Sequence, residues 1–455
     1  MSSAPPVHPL LAPTAASSAA APAVAPNPRI GAAPAFAMLV SNMVGTGVFT
    51  ALGFQVLTVT SGFALLALWV IGGVLSLTGA LAYAELGAAL PHSGGEFVYL
   101  RRAWAPWVGF LGGWVSMTAG FAAPIALAGI AFGRYVAALV PVTAYQASLA
   151  ILVFVALVHW SALHIARRFQ VIATSVTIAL IAGFIVWGLL AGPSEPIGFA
   201  PSAAAWREIS SAPFAVSLIY VIFAYTGWNS IGYIAGDVQR PAELIPRTVT
   251  ASIAVVSTLY VLLNWVFLRT VPLELLGGTV EVGALSASRI GGAAGGRWMS
   301  GVIAMTLVAT ISGLTMAGSR VTQAVCAGTP RLARLGVESP TGVPRAALAL
   351  QFALVALLIL TGAFETVLAY TGFVLNLSSL VTVVGLMRLR RTEPDLPRPF
   401  RVPWYPLTPL LFVGLSCWML VFVLMQRPLV LAATALTLLT GAAVYRLTGA
   451  RSSRL

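Results

Sequence analysis

Two short stretches of this chain place glycine, threonine and aromatic residues in the middle of long apolar runs: Ser41-Asn42-Met43-Val44-Gly45-Thr46-Gly47-Val48-Phe49 and Phe223-Ala224-Tyr225-Thr226-Gly227-Trp228-Asn229-Ser230. Glycine costs a helix about 1 kcal/mol relative to alanine and lets the backbone turn away from helical geometry, so these are places where a helix can unwind. Unwinding leaves unpaired amide N–H groups at the start of the outgoing half, at the positive end of its dipole, where a carboxylate is attracted. It also leaves unpaired carbonyls at the end of the incoming half, and these accept hydrogen bonds from an ammonium. A free amino acid presents one group of each kind. Neither stretch contains an acidic or basic side chain, and this recognition needs none. A competing reading makes Gly45-Thr46-Gly47 a close helix-packing surface; two breaks in matching places favour the site. A dinucleotide fingerprint is excluded, because no strand precedes the glycines and no phosphate-binding context follows. No nucleophile–base pair or zinc set is present either, so the chemistry is binding rather than catalysis, and neither metal nor cofactor is expected.

The elements that hold these stretches are long and apolar. The chain has 455 residues, 59% hydrophobic and only 8% charged, against about 25% charged in an ordinary soluble domain. A bilayer core is about 30 Å thick and takes roughly 20 apolar residues to cross as a helix. Twelve such stretches follow, near 31–57, 62–90, 104–140, 146–166, 169–192, 213–236, 247–271, 298–326, 344–363, 366–388, 403–425 and 428–447. Gly45 falls fourteen residues into the first and Thr226 thirteen into the sixth. Two inverted repeats, 29–192 with spans one to five and 213–388 with spans six to ten, would therefore each open on a broken helix, the pattern of secondary transporters. Spans eleven and twelve occupy 403–447, between a disordered Ala/Pro/Ser-rich tail, 1–28, and a short tail, 448–455.

Net charge is +13, and every basic residue is arginine. With the N-terminus inside, eighteen of the 25 arginines fall in cytoplasmic segments and only four, Arg207, Arg289, Arg297 and Arg427, in outer loops. Arg134, Arg269 and Arg320 lie within or at the ends of spans. Both termini are expected in the cytoplasm, by the retention of basic loops. This also explains the high isoelectric point without nucleic acid, since basic residues in short loops between lipid-seeking segments assemble no duplex-binding face. The cluster Arg388, Arg390, Arg391, Arg398 and Arg401 is read as an inner-leaflet anchor with membrane lipid as its neighbour. Cys326 and Cys417 sit in or at the edge of apolar runs and are read as packing thiols, with no disulfide-linked subunit expected.

Three motifs carry a resemblance. They are Gly45-Thr46-Gly47-Val48-Phe49; Ala82-Tyr83-Ala84-Glu85-Leu86 followed by Pro91-His92-Ser93-Gly94-Gly95-Glu96-Phe97-Val98-Tyr99-Leu100; and Phe223 to Asn229 continuing to Asp237, Arg240, Pro241, Ile245, Pro246 and Arg247. A weaker fourth is Ser312-Gly313 with Gly318-Ser319-Arg320. On these, from about residue 30 to 450, the chain resembles the amino acid-polyamine-organocation permeases, in their bacterial L-type amino acid transporter-like branch. The resemblance implies an all-α polytopic membrane protein, a five-plus-five inverted repeat with two added C-terminal helices, working by alternating access at the cytoplasmic membrane. It further implies that Gly45, Thr46 and Gly47 present amides to the substrate carboxylate. Backbone from Phe223 through Ala224 and Tyr225 to Thr226 would meet the amino group. Phe223 would close over the substrate, and Trp228 and Asn229 would line its side-chain end. A glutamate that the arginine–agmatine branch carries at the position of Asn229 is absent, so neutral amino acids are favoured over the alternatives, cationic amino acids or polyamines. A nutrient receptor on the same fold would be expected to carry an output domain, and the tails are short.

Coupling to a proton or to sodium has four candidates. Alignment on Arg168-Phe169-Gln170 puts Thr177 where many sodium-independent relatives have a lysine; its hydroxyl would complete an oxygen cage with Thr310 or Ser312 and span-one carbonyls, or simply bond its own helix backbone. Glu85 is the one carboxylate well within an apolar run, a proton relay or, as the preferred reading, an ion-pair partner for an arginine such as Arg101. His159 and His164 are further titratable groups.

Overall fold

A computed structural model describes residues 30–448 apart from 93, 162, 234, 340, 341, 362 and 363. The two tails and the side chains of His164, Arg168, Phe169, Gln170 and Asp237 lie outside the described residues. The chain is helical: among the described residues the only β pairing is an isolated parallel bridge from Ile30 to Val238. Among the described residues nine helices are long and apolar enough to cross a bilayer, or ten if the bent pair Ala203–Ile209 and Ala212–Tyr225 counts as one span. The sequence expectation of twelve differs mainly in length. The helices at Ala144–Ser161 and Arg345–Thr361 fall short, and the sixth stretch is divided between Ala212–Tyr225 and the single turn Ser230–Tyr233. The third stretch also starts later than expected, because Glu96–Ala103 is a separate helix ended at Trp104 before Pro106 opens the next one.

Local sequence explains the boundaries. Ser61 and Ser211 turn their hydroxyls onto the amides of Ala64 and Phe214 and start the helices Gly62–Ala89 and Ala212–Tyr225. Helix 106–137 passes through a π-helical segment, Ser116–Ala122, of the sort that widens a helix beside a functional site. Burial then sorts the helices into layers: 94% of the apolar stretch in Ala32–Gln55 is buried, against 17% in Pro428–Thr448. The first broken span therefore runs through the middle of the bundle, and the last helix lies on its outside.

Several charged side chains within this bundle find partners among the described residues. Glu85, fully buried, accepts from Arg390 through both oxygens, with Nε to Oε1 at 2.8 Å, and from the Val402 amide at 2.7 Å; Arg398 Nε lies 3.5 Å away. The expected ion pair thus forms, but with Arg390 and Arg398 rather than Arg101, because the fold returns residues 388–402 to the end of helix Gly62–Ala89. Arg320 pairs with Glu338 and donates to the Gly342 carbonyl, and the Arg134 guanidinium lies 5.9 Å from the Phe364 ring. Arg388 stacks on Trp104 at 5.0 Å. Cys326 is buried as a packing thiol, whereas Cys417 is exposed on the outside of Leu407–Gln426, since that helix turns only part of its surface inward.

Candidate functional site

The two glycine-bearing stretches are where the helices stop, and they stop against each other. Gly45 (φ −137°, ψ −149°) separates Ala32–Met43 from Thr46–Gln55; Thr226 (ψ 137°) and Gly227 (φ 131°) separate Ala212–Tyr225 from Ser230–Tyr233. A Cβ on Gly47 would sit 2.5 Å from the Ala224 Cα, and one on Gly227 would sit 2.6 Å from the Asn42 carbonyl. Only glycine allows this backbone-to-backbone crossing, and at Gly227 only glycine takes the positive φ without strain. Packing and site are therefore not alternatives for Gly47: the glycine that lets the helices touch also lines the cavity between them.

A single phenol joins the breaks. Tyr260, from helix Pro241–Thr270, donates to the Met43 carbonyl at 2.7 Å and the Ala224 carbonyl at 3.1 Å, one at the end of each incoming half-helix. Thr310 donates to the Val44 carbonyl at 2.9 Å, and the Thr226 amide returns to the Phe223 carbonyl at 3.0 Å. The outgoing half Thr46–Gln55 has no side-chain cap, so its first amides are free of side-chain partners.

The cavity at this crossing measures about 40 Å³, room for about three waters. Gly45, Thr46, Gly47, Phe223, Ala224, Thr226, Asn229 and Thr310 line it. So do Asn42, Ser230, Tyr233 and, from the π-helical segment, Gly120 and Phe121. Among the described residues no charged side chain reaches it. Asn42 is buried and neither its amide nitrogen nor its oxygen has a partner among the described residues.

The other side chains named from the sequence point elsewhere. Tyr225 turns its ring away from the cavity, against Trp69 and Tyr260, and donates to the Trp69 carbonyl at 3.0 Å. Trp228 borders a neighbouring cavity of about 20 Å³ with Ser76, Asn376 and Phe412, its ring edge-on to Tyr83 at 4.9 Å. Thr177 is buried on helix Leu163–Ala191, one turn beyond Thr174, which bonds the Ala37 carbonyl of span one. Ser312 is 2.9 Å from His159 Nε2, which brings two coupling candidates together away from the cavity. Thr310, cast as a cage ligand, holds the span-one carbonyl directly instead. Glu85 is taken up by its arginines. Among the described residues no three His, Cys, Asp or Glu side chains gather as metal ligands.

One group that the reading of the residues passed over lies directly behind the cavity. Glu96, the first residue of Glu96–Ala103, is 2% exposed; its Oε1 accepts from Asn229 Nδ2 and from the Tyr83 hydroxyl, both at 2.9 Å. Ser116 Oγ is 3.4 Å from Oε2. Burial, with the Glu96 charge behind it, holds the Tyr99 phenol on the same helix above its ordinary range.

Two interrupted helices that cross inside a bundle of membrane-length helices, with a small polar cavity at the crossing and no catalytic group in it, define a carrier of small solutes. Comparison with known proteins agrees. A family model described as amino acid permease matches residues 30–444, and the chain belongs to that family. It is 28% identical to the Asc-type amino acid transporter 1 of Mus musculus over 93% of this chain and 81% of that one. To the human large neutral amino acids transporter small subunit 2 it is 28% identical over 93% and 80%. It is 26% identical to the serine/threonine exchanger SteT of Bacillus subtilis over 92% of this chain and 96% of that one. The protein is a multi-pass membrane permease for amino acids.

Proposed function

We propose that this chain carries small neutral amino acids across the cytoplasmic membrane by alternating access, as an exchanger, with twelve spans in a five-plus-five inverted repeat and both termini in the cytoplasm. The observation that carries the substrate class is the cavity at the crossing: its polar lining is backbone, hydroxyl and amide, with no charged side chain. A zwitterion is bound there by helix ends. Its carboxylate meets the amides of Thr46 and Gly47 at the positive end of the outgoing half, beside Gly45. Its ammonium meets span-six carbonyls, of which Tyr225 and Thr226 have the fewest competitors, since Phe223 and Ala224 already accept from Thr226 N–H and Tyr260. Phe223 lies over the cavity as the closing ring. A cationic side chain finds no carboxylate in the lining, because Asn229 stands between the cavity and Glu96. The small volume favours short side chains over long ones, and the Bacillus relative is named as a serine/threonine exchanger.

The test is uptake of labelled L-serine into liposomes holding the purified protein, with and without unlabelled amino acid inside. Uptake that depends on internal substrate and is displaced by serine, alanine or threonine but not by arginine or putrescine is the expected result. Displacement by arginine or putrescine at equal concentration refutes the substrate class; uptake into amino acid-free liposomes driven by a sodium gradient refutes exchange and turns attention to Thr177, Thr310 and Ser312.

A further inference from the structure

We propose that the cavity between the end of helix Phe364–Thr392 and the start of helix Leu407–Gln426 is a discrete binding site for an anionic phospholipid, whose phosphate is held by Arg391 and Arg401. The site stands apart from the transport reading; only the leaflet it faces, the cytoplasmic one, rests on the orientation given above.

The cavity measures about 580 Å³, against about 40 Å³ at the crossing of the broken spans. Arg390, Arg391, Arg398 and Arg401 line it, together with Tyr405 and Leu410. Among the described residues no carboxylate is in the lining. In the sequence these arginines form one undivided cluster; the structure divides them by what they hold. Arg388 lies outside the cavity, over the Trp104 ring. Arg398 gives both terminal nitrogens to backbone carbonyls, those of Leu389, Glu393, Pro394 and Leu396, and turns Nε to Glu85 at 3.5 Å. Arg390 gives Nε and Nη2 to Glu85, and its guanidinium lies 3.8 Å from the centre of the Tyr405 ring. These two arginines are the frame of the cavity. Arg391 and Arg401 are exposed and make no hydrogen bond or ion pair among the described residues. Of the two carboxylates on the connection, Glu393 is held by Arg102 at 2.9 Å and Asp395 stands outside the lining.

Guanidinium groups around one cavity repel each other unless an anion comes between them. Glu85 supplies one carboxylate to two of them, so positive charge remains in excess even there. Arg391 and Arg401 keep all their donors for an outside partner, in the planar fork that grips two phosphate oxygens at once. The start of the next helix offers no free amide to compete for that partner: the Leu407 and Thr408 amides return to the Trp404 carbonyl at 2.7 and 3.3 Å, and the Leu410 amide to Pro406 at 3.0 Å.

The edge of the cavity names the rest of the molecule. Trp404 is 83% exposed at a φ of 52°, a backbone conformation that costs a non-glycine residue energy and is kept where a site needs it. Leu407, Leu410 and Leu411 follow it, all exposed, on a helix long and apolar enough to cross a bilayer, and Leu410 also lines the cavity. The charged cavity thus runs into an apolar face at the membrane boundary, where tryptophan is at home. A phosphate that carries acyl chains satisfies both parts, whereas a soluble phosphate compound leaves Trp404 and the leucines unused. A headgroup with its own cation would meet the arginines with like charge, so phosphatidylglycerol is preferred to phosphatidylcholine.

The test offers dioleoyl phosphatidylglycerol or dioleoyl phosphatidylcholine, over a range of concentrations, to the purified full-length protein in neutral detergent. Lipid retained through gel filtration is counted by mass spectrometry of the extract. The expected result is saturation at about one phosphatidylglycerol per protein, at a concentration at least about tenfold lower than phosphatidylcholine requires, the fold-change of one charge-assisted hydrogen bond. The preference should narrow between about 0.1 M and about 1 M salt and vanish in the double variant Arg391→Gln/Arg401→Gln, which leaves the Glu85 pairs untouched.

Equal retention of the two lipids by the wild type overturns the site. A phosphatidylglycerol preference that the double variant keeps overturns its location. Should that variant fail to fold, phosphatidylglycerol with brominated acyl chains decides: tryptophan quenching as strong in Trp404→Phe as in the wild type puts the lipid elsewhere. Displacement of phosphatidylglycerol by an equal concentration of glycerol phosphate shows a site for soluble phosphate compounds and overturns the lipid. None of these results depends on amino acid transport, so a failure of the transport reading leaves the site to stand or fall by itself.

Discussion

Tyr260→Phe isolates the one side chain that bridges the two broken spans. The substitution removes a hydroxyl and keeps the ring, so the packing against Trp69 at 5.4 Å and Tyr225 at 5.0 Å is retained. What is lost is the donor to the Met43 and Ala224 carbonyls, at 2.7 and 3.1 Å. One hydrogen bond is worth about 1 kcal/mol net, and a buried acceptor left without a donor costs about 1 kcal/mol or more, so a loss of about 2 kcal/mol follows. Both carbonyls end the incoming halves, and in the proposed site the crossing they stabilise is the arrangement that binds substrate. If the whole loss falls on that arrangement, apparent substrate affinity drops about 30-fold. The assay is serine exchange over a range of external concentrations, run beside thermal unfolding of the detergent-solubilised protein. An apparent KM raised at least about tenfold, with a lowered unfolding temperature, is the expected pair of results. Unchanged KM and unchanged unfolding temperature would show that the two breaks keep their register without Tyr260.

Gly47→Ala places its Cβ against Ala224 backbone, which cannot step aside; overpacking of this sort costs about 1–3 kcal/mol, and serine uptake should fall to background in protein that still reaches the membrane, whereas wild-type uptake would remove the close crossing from the account. Phe223→Ala takes away the ring above the cavity, so occlusion should weaken and turnover slow at near-normal expression, seen as faster substrate dissociation in a binding assay; unaltered kinetics would disprove the gate. Glu85→Gln leaves Arg390 and Arg398 without their buried carboxylate, a loss of about 3–5 kcal/mol on precedent for broken buried pairs, and the unfolding temperature should drop steeply while Arg102→Gln, at an exposed pair, moves it little.

The broken helices were legible because glycine declares itself: Gly45 and Gly227 stand in runs where an unbroken helix would have alanine or leucine, and the chain leaves helical geometry at both. Side-chain direction beyond a break was not legible. Helical phase is lost where the backbone unwinds, so Trp228, a neighbour of residues that do line the cavity, turns its ring to Tyr83. Tyr260 carries no local mark at all; it sits in Leu259-Tyr260-Val261 like any core aromatic, and its role exists only because two breaks more than 180 residues apart converge on it. Glu96 was hidden for another reason. A charge after Ser-Gly-Gly, outside every apolar run, reads as a solvated loop residue, and only the fold back onto Ser230–Tyr233 buries it. The partner of Glu85 shows the same limit: proximity along the chain suggested Arg101, while the acceptor geometry is filled by an arginine 305 residues away.

A cavity lined without a charged side chain has an electrical consequence. A zwitterion entering it adds no net charge, so the loaded and empty carriers have the same charge when the site turns from one face of the membrane to the other. A membrane potential, worth about 2.3 kcal/mol per elementary charge for each 100 mV, then acts equally on both halves of the cycle and cannot drive accumulation by itself. Exchange through the crossing of spans one and six would leave no current. A current that accompanies serine would have to be carried by a charge bound elsewhere in the protein.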